Sequence, residues 1–112
     1  MSEEAPDDWR ERTAAIVRGD DTTEATGALL ALTFDEPDRA WMEAFLLDLV
    51  DNAHDPQVRA LAVICLGHLA RIHRATTPLV IAKLQELKND ADLRSRAVNA
   101  LDDIQSYTAH RV

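Results

Sequence analysis

The sequence predicts an all-α fold: a short right-handed α-solenoid of about three antiparallel helix pairs, in one domain spanning residues 1–112. Three observations predict it. Ala and Leu are abundant, aromatics make up only 4% of residues, and there are just three glycines and four prolines. Ala and Leu lose little entropy in a helix, whereas strands favour β-branched and aromatic side chains and need more turn residues between them. Apolar residues also recur at spacings of three and four, the period of a half-buried helix. Finally, part of the chain repeats itself at an offset of 35 residues, as stacked supersecondary units do.

The elements follow in order. Asp7 to Val17 is expected to form a first helix. The pair Asp20-Asp21 then precedes TTEATGALLALTF, a second helix. Stepping back 35 residues from Asp55 lands on Asp20, which puts Gly27 and Ala28 in the places of Ala62 and Val63. Residues 1–36 thus form a degenerate first unit, as the end of a repeat stack usually is. The second unit, 37–74, opens with a helix from Pro37 to Asn52 that carries Trp41, Phe45, Leu46, Leu49 and Val50. A helix from Pro56 to His73 follows, with Asp55 as its N-cap. The third unit, 75–107, repeats this: Pro78 to Lys88, a cap at Asp90 or Asp92, then Leu93 to about Tyr107. Residues 108–112 are a tail.

The repeat is clearest in the second helices. HDPQVRALAVICLGHL lies over NDADLRSRAVNALDDI, so Asp55 meets Asp90, Arg59 meets Arg94, Ala62 meets Ala97, and Leu66 meets Leu101. The run VRALAVICLGHLARI is apolar nearly all round and should be covered on most sides. Its counterpart carries Ser95, Asn99, Asp102 and Ser106 where the middle unit has Ala60, Ile64, Gly67 and Arg71. That polar stripe reads as the solvated face of a terminal unit.

Composition narrows the function. A chain of 112 residues can bury a core without disulfides or metals. Cys65 is the only cysteine, which fits a reduced, cytoplasmic setting. The start, MSEEAPDDWRER, has no apolar signal region, and no run approaches the roughly 20 apolar residues of a membrane span. The net charge is −8, and residues 1–38 carry all of it, with eleven acids against three bases. An acidic chain without a basic stripe does not suit nucleic acid, but it suits a basic protein partner.

No constellation points to chemistry. His68 and His73 are five apart rather than the i, i+4 of a helical metal pair. They read instead as polar residues near a helix end, where Arg71 and Arg74 also complement the dipole. The carboxylates of Asp102 and Asp103 diverge by about 100° on a helix and cannot share a proton. Cys65 sits in an apolar helix as a buried thiol, and Trp9 and Trp41 read as core anchors. Phosphate loops and nucleophile elbows are missing. The expectation is a non-enzyme without cofactor or metal.

The string D-P-x-V-R-x-x-A-x-x-x-L-G-x-L, from Asp55 to Leu69, resembles the second half of a HEAT repeat, closest to the short phycobilisome-lyase-type variety. The resemblance covers about residues 37–107. It implies a protein-binding α-solenoid in which Asp55, Arg59, Asp90 and Arg94 tie neighbouring units together. The run CLGHLARIH with the later ALDDIQ is similar to small stand-alone bacterial HEAT proteins, some of them immunity partners of polymorphic toxins. The expected function is therefore a bacterial immunity protein neutralising a basic toxin such as a nuclease. Alternatives are a HEAT-type scaffold or self-associating homodimer, or a HEAT-type lyase or glycosylase. The absent nucleophile and basic groove argue against both enzymes. Glu36, Arg71, Asn99, Asp102 and Ser106 are expected to share a partner-binding face, with Asp103 at its edge. Gly67 would leave room there for an incoming arginine.

Overall fold

The computed structural model describes residues 6–108. Glu3, Glu4 and His110, and the tail after Thr108, lie outside these residues. Six helices account for the regular structure among the described residues: α1 (Pro6–Val17), α2 (Thr22–Asp35), α3 (Arg39–Asn52), α4 (Pro56–His73), α5 (Pro78–Leu87) and α6 (Arg94–Thr108). Each odd-numbered helix packs on the even one that follows it. In addition α2 packs on α4, α4 on α6, and α3 meets α5. The even helices therefore form one row with α4 in the middle, backed by the odd helices.

The core lies between these rows. Leu29 and Leu32 of α2, Met42, Leu46 and Leu49 of α3, Val63, Leu66 and Leu69 of α4, and Val80 and Leu84 of α5 are all fully or almost fully buried. Ala62 and Ala97, equivalent in the repeat, are both fully buried. The contact between α4 and α6 is close. A Cβ on Gly67 would stand 3.1 Å from Ala100 Cα and 3.2 Å from the Asp103 carboxylate. Gly67 is thus small so that two helices can touch, and the space once assigned to a partner's arginine is already filled.

Short polar side chains start the helices by accepting orphan amides. Asp55 accepts from the Gln57 amide at 2.9 Å, and Thr77 from that of Val80. Two expectations shift, and one left open between two residues is resolved. The α2 cap is Asp21, which accepts from the Glu24 amide at 3.0 Å, not Asp20. The first unit is therefore offset from the second by 34 residues, and Ala28 and Leu29 hold the places of Ala62 and Val63. The third helix starts after Asp38, not at Pro37, because the Asp38 carboxylate accepts from the Trp41 amide at 3.0 Å. Asp90 rather than Asp92 caps the approach to α6, accepting from the Asp92 and Leu93 amides.

The repeat arginines also behave differently from the expectation. Arg59 Nε donates to the Val50 carbonyl at 2.8 Å, and Arg94 Nε to the Lys88 carbonyl at 3.1 Å. Each fastens the start of its own even helix to the end of the odd helix before it. The guanidinium reaches a carbonyl freed at a helix end, so neither arginine bridges units. Asp55 does bridge them: its second oxygen accepts from the Thr22 hydroxyl of the first unit. This hydrogen bond, followed by the Gln57 amide, holds the Asp55 carboxyl below its ordinary range. The Asp90 carboxylate acts only in its own turn.

The odd helices are braced by ion pairs. Arg10 of α1 lies over the Trp41 ring at 4.6 Å and 3.5 Å from Glu36. Trp41 in turn stacks on Phe45 at 5.0 Å, with Arg18 over the Phe45 ring. Arg18 pairs with Asp48 at 2.9 Å, Arg39 with the buried Glu43 at 3.2 Å, and Lys83 with Asp51 at 2.9 Å. Glu36 is only 6% exposed. It accepts from the Asp38 amide at 2.9 Å and so serves this bracing rather than any shared binding face.

Candidate functional site

The outward stripe of α4 is Gln57, Ala60, Leu61, Ile64, His68 and Arg71, spaced three and four apart on one side of the helix. Ala60, Leu61 and Ile64 are only half-buried. Their neighbours are Thr26 and Leu30 on α2, and Arg96 on α6 with Asp92 and Leu93 in the turn before it. Together with Pro56 and Arg59 these side chains line an open groove of about 660 Å³ across the even row. Its floor is apolar: Leu30, Ala60, Leu61 and Ile64. Leu30 remains 37% exposed and Phe34, one turn further along α2, 50% exposed.

Beyond the floor the stripe turns polar. The Phe34 and His68 rings lie 5.7 Å apart. Arg71 Nη2 is 3.1 Å from His68 Nδ1; since a guanidinium can only donate, that nitrogen accepts. Partial burial lowers the His68 pKa, the Arg71 charge lowers it further, and Asp103 opposes both. The imidazole is thus held neutral near pH 7.

The rim is cationic. Among the described residues, none of Arg59, Arg71, Arg94 and Arg96 pairs with a carboxylate. Helix α4 has no acidic residue in its length. Asp92 lines the groove, but the nearby carboxylates of Asp55 and Asp90 are engaged in capping. The groove lining itself thus sets two arginines against one carboxylate, in a chain of net charge −8.

The expected face is therefore only partly assembled. Asn99, Asp102 and Ser106 are exposed together on the outer side of α6, and Arg71 is exposed on α4. Asp103 is half-buried against Gly67. Glu36 is removed from the set by burial. Sequence reasoning missed the groove itself and Arg96. One signal was available: Arg96 stands 35 residues after Leu61, so a charge replaces an apolar repeat position.

Chemical groups elsewhere are sparse. Cys65 is buried, and burial pushes its thiol up to about 11 against a hydrogen bond from Thr33, which leaves it unreactive at neutral pH. Among the described residues no cluster of His, Cys, Asp and Glu could hold a metal ion, and no helix is long and apolar enough to cross a membrane. Comparison with known proteins gives no match to a family model, a curated protein or a solved structure.

Proposed function

We propose that the protein is a non-catalytic protein-binding module, a short HEAT-like α-solenoid that receives its partner across α2, α4 and α6. One observation carries this reading: the groove on the even row keeps Leu30, Leu61 and Ile64 within reach of solvent beside arginines that have no ion-pair partner. A contiguous apolar surface with a polar rim is the anatomy of a docking site. The test is affinity purification from the source cells with wild-type protein and with Ile64→Glu. Partners held by wild type should be lost from the variant, with its melting temperature little changed. Retention of every partner by Ile64→Glu refutes the groove as the docking site.

A second surface favours the immunity-type reading, in which a basic toxin domain is neutralised. Asp20, Asp21 and Glu24 are exposed where α1 turns into α2, and among the described residues no Lys or Arg pairs with them. His54, 3.6 Å from Asp20, is the neighbour there. A basic partner would be steered to this edge at a rate that falls with salt. Reversal of Asp21 and Glu24 to lysine should then slow association, while equal rates in both proteins would discard this reading. A self-associating scaffold is the remaining form, and light scattering at two concentrations separates it from a monomer.

A further inference from the structure

We propose that the groove across α2, α4 and α6 takes an amphipathic helical segment of a partner protein that carries acidic side chains beside its apolar stripe. This rests on the reading of the groove as the docking site and adds the chemistry of what docks. The floor sets the apolar half. Leu30, Ala60, Leu61 and Ile64 come from two neighbouring helices and form a shallow, open trough. Such a trough accepts the i, i+3, i+4, i+7 face of a helix.

The rim sets the charge. Arg59 and Arg96 line the trough, and Arg71 and Arg94 stand on the same two helices. No carboxylate of the described residues pairs with any of the four. This is not a shortage of acids, since the chain has 20 of them against 12 bases. Asp92 is the one acid that lines the trough beside Arg59 and Arg96, and elsewhere the cations on and beside α1, α3 and α5 take several acids in ion pairs. An incoming helix with Asp or Glu flanking its apolar stripe would give Arg59 and Arg96 partners as it excludes water, and a guanidinium suits a carboxylate in two-pronged geometry. A basic helix would bury like charges against each other, which costs binding.

A displayed library of helical peptides, selected on the full chain, tests this. The readout is the charge of the enriched peptides and their affinity for wild type, Ile64→Glu and Arg96→Glu. Enriched peptides should combine an apolar stripe with Asp or Glu. They should lose binding to Ile64→Glu and weaken on the order of tenfold on Arg96→Glu, and changing their acids to lysine should weaken them as much on wild type. Groove-dependent peptides that are neutral or basic would overturn the proposal while leaving the docking site in place. Peptides indifferent to Ile64→Glu, or no enrichment at all, would overturn the docking site and the proposal with it.

Discussion

The two rows of helices treat their positive charges in opposite ways. On and beside the odd helices, Arg10, Arg18, Arg39 and Lys83 each lie against a carboxylate, and two of them also cover an aromatic ring. On the even helices, Arg59 and Arg94 are spent on carbonyls, Arg71 on a histidine, and Arg96 on nothing within the described chain. One row uses charge to hold the structure together. The other is held by close apolar packing and by two arginine–carbonyl bonds, and leaves Arg96 over. Stability should therefore draw on the ion pairs of the first row, and binding on the arginines of the second that have no carboxylate partner.

The largest effect should come from unpicking the first row. Glu36→Ala removes a buried carboxylate that joins Arg10 to the start of α3. Arg10 is itself mostly buried, with 16% of its side chain exposed. Taking away one carboxylate partner of such a charge should cost about 2–3 kcal/mol, with Asp38, 3.7 Å away, and the Trp41 ring still beside it. Chemical denaturation should show it. A loss below about 0.5 kcal/mol, the size of an ordinary surface change, would mean that the odd row is not braced by its charges.

The next effect tests the packing of the even row. Gly67→Ala sets a methyl against the Ala100 main chain, and a backbone cannot yield as a flexible side chain does. The cost should be about 1–2 kcal/mol. Ala100→Gly, made together with it, should recover part of the loss if the clash is at that crossing. Failure to recover any would move the strain elsewhere.

Arg59→Ala should follow at about 1–1.5 kcal/mol, the net worth of a hydrogen bond from a charged donor that is partly exposed. The loss should be independent of Asp55 and Asp90. A double-mutant cycle with Asp55→Ala that gave a coupling above about 0.5 kcal/mol would restore the bridge between units.

These corrections show which parts of the structure the sequence carries. The helices were legible because their signals are local. Asp55 before Pro56 marks a start wherever it occurs, and the apolar spacing of Trp41, Phe45 and Leu49 needs no partner to be read. The one-residue shift of the first unit was not legible, because Asp20 and Asp21 are equal candidates until the chain's approach fixes which carboxylate meets the Glu24 amide. The groove was hidden for a different reason. A helix as apolar as α4 reads as covered all round, and only the packing of α2 and α6 shows that Leu61 and Ile64 stay within reach of water. Glu36 reads as a surface acid until Arg10, 26 residues earlier, is found folded against it.

A smaller effect depends on pH. His68 binds its proton more weakly in the folded chain than at its ordinary 6.5. Its neutral form suits the fold, so stability is undiminished above 6.5. It falls as the pH drops from there to the folded pKa, then stays at the reduced level. Phe34, Arg71 and Asp103 are the groups facing the ring. His68→Gln should flatten the stability profile in that window. The Asp48 and Asp55 carboxyls are held below 3.8, so their losses belong to lower pH. An unchanged slope between pH 7 and 5 in His68→Gln would assign the pH dependence to other groups.

The smallest effect on folding is also the most telling. Arg96 is exposed and has no partner within the described chain, so its removal takes away no contact that the fold uses. Arg96→Ala should melt within about 0.5 kcal/mol of wild type, as changes at unencumbered surface positions do. Arg96→Glu should cost only slightly more, since α4 offers it no acid to repel and Asp92, four residues earlier, is exposed. Glu36→Ala, on the other row, should be costly for the fold while leaving the groove's side chains in place. The pair of variants thus separates the two uses of charge in one measurement, a denaturation curve run beside a binding isotherm. If Arg96→Ala destabilises as much as Glu36→Ala, Arg96 serves the fold as well. The contrast between the rows would then vanish, and with it the reason for seeking the partner at Arg96.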